Sequence, residues 1–214
     1  MFNDKFQLTK SVLEGRKTQT RRIIKCPREF KGEWVAGFNI HIRQSDKKVV
    51  DWPCMYDAEE REFEGGEILP RYKVGEIVAV AQSYKDLGYS ETALDRSPKD
   101  WRIVRGTLGK SKGWNNKMFV RAEACVHQIK ITNIRIQRLQ DISDEDCLAE
   151  GIITKWHAPC SIRYYYITDP EDGTRYDVYS SAREAYAALI DKVSGKGTWE
   201  NNPWVFVYEF ELVK

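Results

Sequence analysis

Hydrophobic and polar positions in this chain form a few strongly patterned stretches separated by long polar ones. The clearest is Trp204 to Val213, where Trp204, Phe206, Tyr208, Phe210 and Leu212 alternate with Val205, Val207, Glu209 and Glu211. A period of two sends successive side chains to opposite faces, so the stretch predicts a strand. His127 to Leu139 alternates too, with Ile129, Ile131, Ile134 and Ile136 inward, but its phase changes near Asn133. That change predicts a turn or bulge. Ile77 to Ala81, after the turn Val74-Gly75-Glu76, reads as a buried strand, and Met118 to Glu123 as a further short one. In Ala182 to Val193 the period becomes helical, with Ala185, Tyr186, Leu189, Ile190 and Val193 on one face.

Two shorter helices complete the set. Leu8 to Leu13 is expected to be capped by Thr9 and to stop at Gly15, which tolerates the positive φ of a helix exit. Ser143 caps the other, with Asp144, Glu145 and Asp146 at the positive end of the helix dipole, Ile142 stapled against Cys147, and Gly151 at the stop. After Gly15 the β-branched Thr18, Thr20 and Ile23 favour a strand reaching Ile24. Its alternation puts Thr18, Thr20 and Arg22 on one face and Lys17, Gln19 and Arg21 on the other. A bend after Gly15 would bring Lys17 round toward Thr20.

Between these elements lie three excursions, at about 25–72, 84–116 and 153–180; the first is polar, irregular and rich in aromatics, and the second ends in the polar run Gly109 to Asn116. The third holds Tyr164, Tyr165 and Tyr166 and the turn Asp169-Pro170-Glu171-Asp172-Gly173. No internal repeat, low-complexity run or linker is evident. The expectation is one domain over residues 1–214, of α+β class, a small mixed β-barrel with flanking short helices and inserted excursions.

Length and charge narrow the function. The 214 residues suffice for one well-buried core. A formal net charge of +2 argues against a surface that coats nucleic acid generally. The charge is uneven, however: residues 1–50 hold 12 Lys and Arg against 5 Asp and Glu, and residues 51–75 hold 3 against 7. The basic segment either faces phosphate or is a solvated charged face. The cysteines, Cys26, Cys54, Cys125, Cys147 and Cys160, are odd in number and lack a C-x-x-C pair. That fits a reducing cytoplasm rather than a disulfide framework. His157 and Cys160 have ligand-like spacing but no second pair, so no metal is expected. No signal-peptide pattern and no apolar run of about 20 residues is present, so no membrane partner is expected.

Four features carry candidate chemistry. Gly15, Lys17, Thr20, Arg21 and Arg22 put cations and hydroxyls beside a turn. There Lys17 could activate the Thr20 hydroxyl, and Arg22 could neutralise phosphate or hold a carbonyl oxygen that becomes anionic; a basic strand edge is the plainer alternative. Glu150 ends a helix, where the dipole opposes its ionisation, which suits a proton carrier or an ordinary exposed carboxylate. Of the seven tryptophans, Trp114, within Lys110-Ser111-Lys112-Gly113, is the candidate for stacking on a base, and Trp204 belongs to the core. Gly195-Lys196-Gly197-Thr198-Trp199 lacks P-loop spacing and reads as a connector.

These segments resemble the ASCH family of PUA-like barrels. Gly15, Lys17 and Arg22 match its G-x-K-x-x-x-x-R motif. Leu139 to Ser143 with Glu150-Gly151-Ile152 resembles its helix ending in E-G, Lys73 to Glu76 its strand entry, and Trp199 to Phe210 its N-P-W-V-x-x-x-E-F ending. The resemblance implies a pocket for RNA or a modified nucleoside, without a cofactor. One compact bacterial branch hydrolyses the amide of N4-acetylcytidine; by that likeness Thr20 is the nucleophile, Lys17 its activator and Glu150 the assisting carboxylate. Gly15, Arg21, Arg22 and, from its basic surroundings, Trp114 are the expected ligand contacts. A non-catalytic RNA-binding module and a ribonuclease acting on single-stranded RNA are the alternatives. The chain departs from that branch in its length and in Ala81, Gln82 and Tyr84, where relatives carry an Arg-Glu pair followed by Trp.

Overall fold

The computed structural model describes residues 2–169 and 177–213. The chain is mostly strand with few helices, and its centre is one antiparallel sheet curled into a half-barrel. The sheet order is Gln19–Ile23, Trp204–Leu212, Gln128–Arg138, Ile77–Ala79. The C-terminal strand lies in the middle and is buried on both faces, as its pattern of aromatic and valine positions demands. Val205 and Val207 enter a core shared with the helices α2 (Asp144–Ala149) and α3 (Ala182–Ser194). Phe206, Tyr208 and Phe210 enter a second core on the other face, where the rings of Trp52 and Tyr72 pack edge-on against Phe206 and Tyr208. Alternation within one strand thus divides the apolar material into two layers.

Many local expectations hold. The register shifts between Ile131 and Asn133, which is the bulge read from the change of phase. Ser143 Oγ accepts the Asp146 N–H, and Ser181 Oγ accepts that of Glu184, so both helices are side-chain capped. Ile142 and Cys147 share the helix-side core, and burial pushes the Cys147 thiol up to about 12.

Others fail for identifiable reasons. Thr9 does not cap α1 (Leu8–Leu13); Gln7, in a left-handed conformation, stands there instead. Thr9 lies inside the helix, donates to Asp4 Oδ1 at 2.5 Å and accepts from Lys117 Nζ at 2.9 Å. Met118 to Glu123 is not a strand but two 3-10 turns, because Asn116 Oδ1 captures the Met118 N–H and starts a turn. The strand from Ile77 stops at Ala79 and leaves Ile77 exposed, since only Gln128–Lys130 pair with it. The first excursion is not irregular, and all three hold paired strands. The first contains the hairpin Glu29–Phe30/Glu33–Trp34 and a three-stranded sheet of Gly37–Asn39, Cys54–Tyr56 and Glu62–Glu67. The second contains Leu94–Arg96 paired with Val104–Thr107, and the third Ile153–His157, Ile162–Tyr166 and Val178–Tyr179. Their short, interrupted alternation hid these pairings. Pro170 to Gly173 of the expected turn lie outside the described residues. Among the described residues no helix is long and apolar enough to cross a membrane.

Candidate functional site

The segment after α1 turns back on itself. Gly15 adopts φ +71°, and the N–H groups of both Arg16 and Lys17 donate to the Ser11 carbonyl at 2.9 Å. Gly15 therefore serves the turn and not the pocket. The Thr18 N–H then donates to the Ala149 carbonyl at 2.8 Å, docking the strand entry against the end of α2. Lys17 is thereby aimed inward beside Gly151, which has φ +105°. A Cβ there would come within 3.5–3.6 Å of Leu8 and Lys17 atoms. Those are ordinary contact distances, so it is the positive φ and not the space that calls for glycine there.

The result is a buried chain of charges. Lys17 Nζ donates to Glu150 Oε2 at 2.5 Å and to the Glu150 carbonyl at 2.7 Å. Arg21 reaches Glu150 Oε1 at 3.0 Å and Asp146 Oδ2 at 2.6 Å. Arg135 also donates to Asp146 Oδ2 at 2.6 Å and pairs with Glu209. The Gln19 amide donates to Asp146 Oδ1 at 3.0 Å. Lys17 is 2% exposed, and Arg21 and Glu150 are each 4%. The register explains the assembly: Gln19 faces Glu209, and Arg21 and Arg135 both face Val207, so all project toward α2.

Burial pushes the Lys17 pKa below the ordinary lysine value, and the facing Glu150 carboxylate restores only part of the difference. For Asp146, burial raises the pKa, but the charges of Arg21 and Arg135 and the Gln19 hydrogen bond outweigh it and hold it below the usual carboxylate value.

A small cavity of about 60 Å³ lies at the open edge of the Gln19–Ile23 strand. Lys17, Thr20, Arg21, Arg22 and Glu150 all line it, closed by Phe2, Asn3 and the C-terminal half of α3. The sequence-derived trio of Lys17, Thr20 and Glu150 thus meets in one concavity, across 133 residues. Its members do not all touch. Thr20 faces Tyr208, on the side of the strand away from the charge chain, and no Lys17–Thr20 hydrogen bond is present among the described residues. Arg22 faces Phe206 on that same side and is exposed.

Two buried polar atoms on lining residues lack a partner among the described residues: Arg21 Nε and the Tyr186 hydroxyl. The Arg21 guanidinium stands 5.9 Å from the centre of the Tyr186 ring. Burial raises the Tyr186 pKa well above that of free tyrosine, so its hydroxyl stays protonated as a donor. Buried donors without acceptors cost about 1–3 kcal/mol each. Both belong to residues that line the cavity. Reading the helix pattern assigned Tyr186 to the core, and only the unused hydroxyl distinguishes it. Asp146 and Arg135 were likewise missed as members of the charge chain.

Trp114 is not brought to this site. It sits half-buried in the second excursion, in the turn Lys112–Trp114, and lines neither this cavity nor the larger cleft beside the first excursion. The Gly195–Trp199 loop is a connector, since Asp191 accepts the N–H groups of Gly197 and Trp199 that a phosphate would need. No group of three or more metal-ligating side chains occurs among the described residues. His157 packs edge-on against Tyr164, and the side chain of Cys160 lies outside the described residues. No family model, curated protein or solved structure matches this chain.

Proposed function

We propose that this is an ASCH-type protein of PUA-like fold that binds a modified nucleoside, with the cavity beside Lys17 taking the acyl-amide end of an N4-acylated cytidine. The observation that carries the reading is the set of buried donors on residues lining the cavity, Lys17 Nζ, Arg21 Nε and the Tyr186 hydroxyl, the last two without a partner among the described residues. About 60 Å³ is far below the roughly 300–1,000 Å³ of a pocket that engulfs a ligand. It fits a group of a few heavy atoms, so the sugar and ring would stay outside, past Phe2 and Asn3.

The corresponding chemistry is acyl transfer. Thr20 Oγ attacks the amide carbonyl as Lys17 passes its own proton to Glu150, a transfer that burial eases, and accepts the Thr20 proton in its place. Arg21 and Tyr186 stabilise the oxygen that becomes anionic. The C–N bond breaks as Lys17 returns the proton to the leaving amine. Water then attacks the acyl-threonine, giving up a proton through Lys17 and releasing the free acid and Thr20. Glu150 orients Lys17 throughout.

Incubation with N4-acetylcytidine, following release of cytidine, tests this. Turnover is expected, with loss in Thr20→Ala and a roughly hundred-fold fall in Tyr186→Phe. No turnover at high enzyme concentration would sink the amidohydrolase, and undiminished activity in Thr20→Ala would sink the nucleophile. A binding module without chemistry is the second reading, favoured by the missing Lys17–Thr20 contact. It expects salt-dependent binding of single-stranded RNA, weakened in Arg22→Ala, without turnover. Shortening of that RNA would indicate a nuclease instead.

A further inference from the structure

A cleft of about 900 Å³ separates the long strand Gln128–Arg138 from the first excursion. Ile134, Arg135, Ile136 and Gln137 form one wall, and residues 47–52 part of the other. Four consecutive strand residues cannot line a cleft with side chains alone, because neighbours point to opposite faces. They line it with the edge of the strand. Gln128–Lys130 are paired with Ile77–Ala79, but beyond the bulge Asn133–Arg138 pair on one side only, with the C-terminal strand. The Leu139 N–H donates to the Pro203 carbonyl, so Gln137 and Arg135 also turn their backbone groups that way. Ile134, Ile136 and Arg138 turn theirs to the cleft. The Ile134 N–H is taken by Asn133 Oδ1 at 2.9 Å. The N–H and C=O of Ile136 and the N–H of Arg138 have no partner among the described residues.

We propose that this cleft takes an extended peptide segment of a partner protein, added as a further strand along Asn133–Arg138 and alternating apolar with basic side chains. Strand addition draws affinity from backbone hydrogen bonds and specificity from alternate side chains. Six residues offer an edge of about 20 Å. One face of the added strand lies beside Ile134 and Ile136 and meets Trp52 and Trp204, which selects apolar side chains. The lining carboxylates are Asp51, Glu62, Glu67 and Asp141 against the cations Lys47 and Lys48; Asp51 and Glu62 also face His41, so Glu67 and Asp141 carry the selection, while Arg135 is engaged by Asp146 and Glu209. That balance selects basic residues and opposes a phosphate backbone. Proteins usually blunt open edges with charge, a bulge or a covering loop; past the bulge, this one opens onto a shaped cleft.

The test titrates the 15N-labelled full chain with blocked heptapeptides in which valine alternates with lysine, glutamate or serine. The lysine peptide is expected to shift the Ile136 and Arg138 amides downfield and slow their hydrogen exchange, binding roughly ten-fold more tightly than the glutamate peptide. Ile136→Pro removes an edge N–H without breaking the ladder to the C-terminal strand, and is expected to abolish binding. Glu67→Lys combined with Asp141→Lys is expected to invert the preference, and it keeps the test valid if the proline variant fails to fold. The proposal is overturned if no peptide moves these amides, or if lysine-peptide affinity survives in both variants. It is also overturned if single-stranded RNA fills the cleft while the peptides do not, or if sedimentation shows two copies pairing through this edge and no peptide separates them.

Discussion

Replacing Glu150 by alanine removes the one carboxylate shared by two buried cations. Lys17 and Arg21 have side chains 2% and 0% exposed, and that of Glu150 is 5% exposed. Breaking such a pair from one side costs about 3–5 kcal/mol, because the remaining charge is left in a poorly polarisable interior. Arg21 retains Asp146 as a partner, whereas Lys17 keeps only the carbonyl of residue 150. Most of the penalty therefore falls on the lysine. In a chain of this size each kcal/mol lowers the melting temperature by about 2–4 °C, giving an expected fall of roughly 6–20 °C. Urea unfolding followed by far-UV circular dichroism, with calorimetry alongside, measures both quantities. Lys17→Met combined with Glu150→Leu removes the pair together and is expected to lose less than Glu150→Ala alone. A loss below about 1 kcal/mol in Glu150→Ala, the range of an exposed ion pair, would refute the argument from burial.

Three further outcomes follow from the same site. The Asp146 carboxylate is held below its ordinary pKa, so the stability it carries is full above about pH 4 and disappears as pH falls through the folded value. Acid unfolding of Asp146→Asn should show a shallower dependence over that range than the parent; an unchanged slope would contradict it. Gly151→Ala forces a Cβ onto a backbone at φ +105°, and should cost about 1–2 kcal/mol by denaturant titration, where a neutral result would deny the strain. Ser143→Ala removes the α2 cap and should cost about 1 kcal/mol, with a threonine replacement restoring most of it.

The parts legible in the sequence are those whose cause is local. Ser143 announces a cap because its hydroxyl meets an N–H three residues on, and Trp204–Leu212 announces a strand because both of its faces are buried. The bulge near Asn133 is visible because one extra residue must invert the phase. Thr9 misled because its hydroxyl is claimed by Asp4 and Lys117, the latter more than a hundred residues away. The pairing of Lys17 with Glu150 was accessible only through the family resemblance, since no local pattern joins residues so far apart. Asp146 resembled an ordinary first-turn acid, yet its carboxylate joins Arg21 to Arg135 across two strands. Tyr186 sat on an apolar helix face, and the helical period cannot report an unused hydroxyl.

We propose that the cavity at the edge of Gln19–Ile23 receives the acyl end of a nucleoside. Titrating N4-acetylcytidine into the 15N-labelled protein tests it most directly. Saturable shifts of the Thr20, Arg21, Gly151 and Tyr186 amides are expected, weaker for cytidine, which lacks the acyl group. Shifts confined to other parts of the molecule, or equal responses to the two nucleosides, would contradict it.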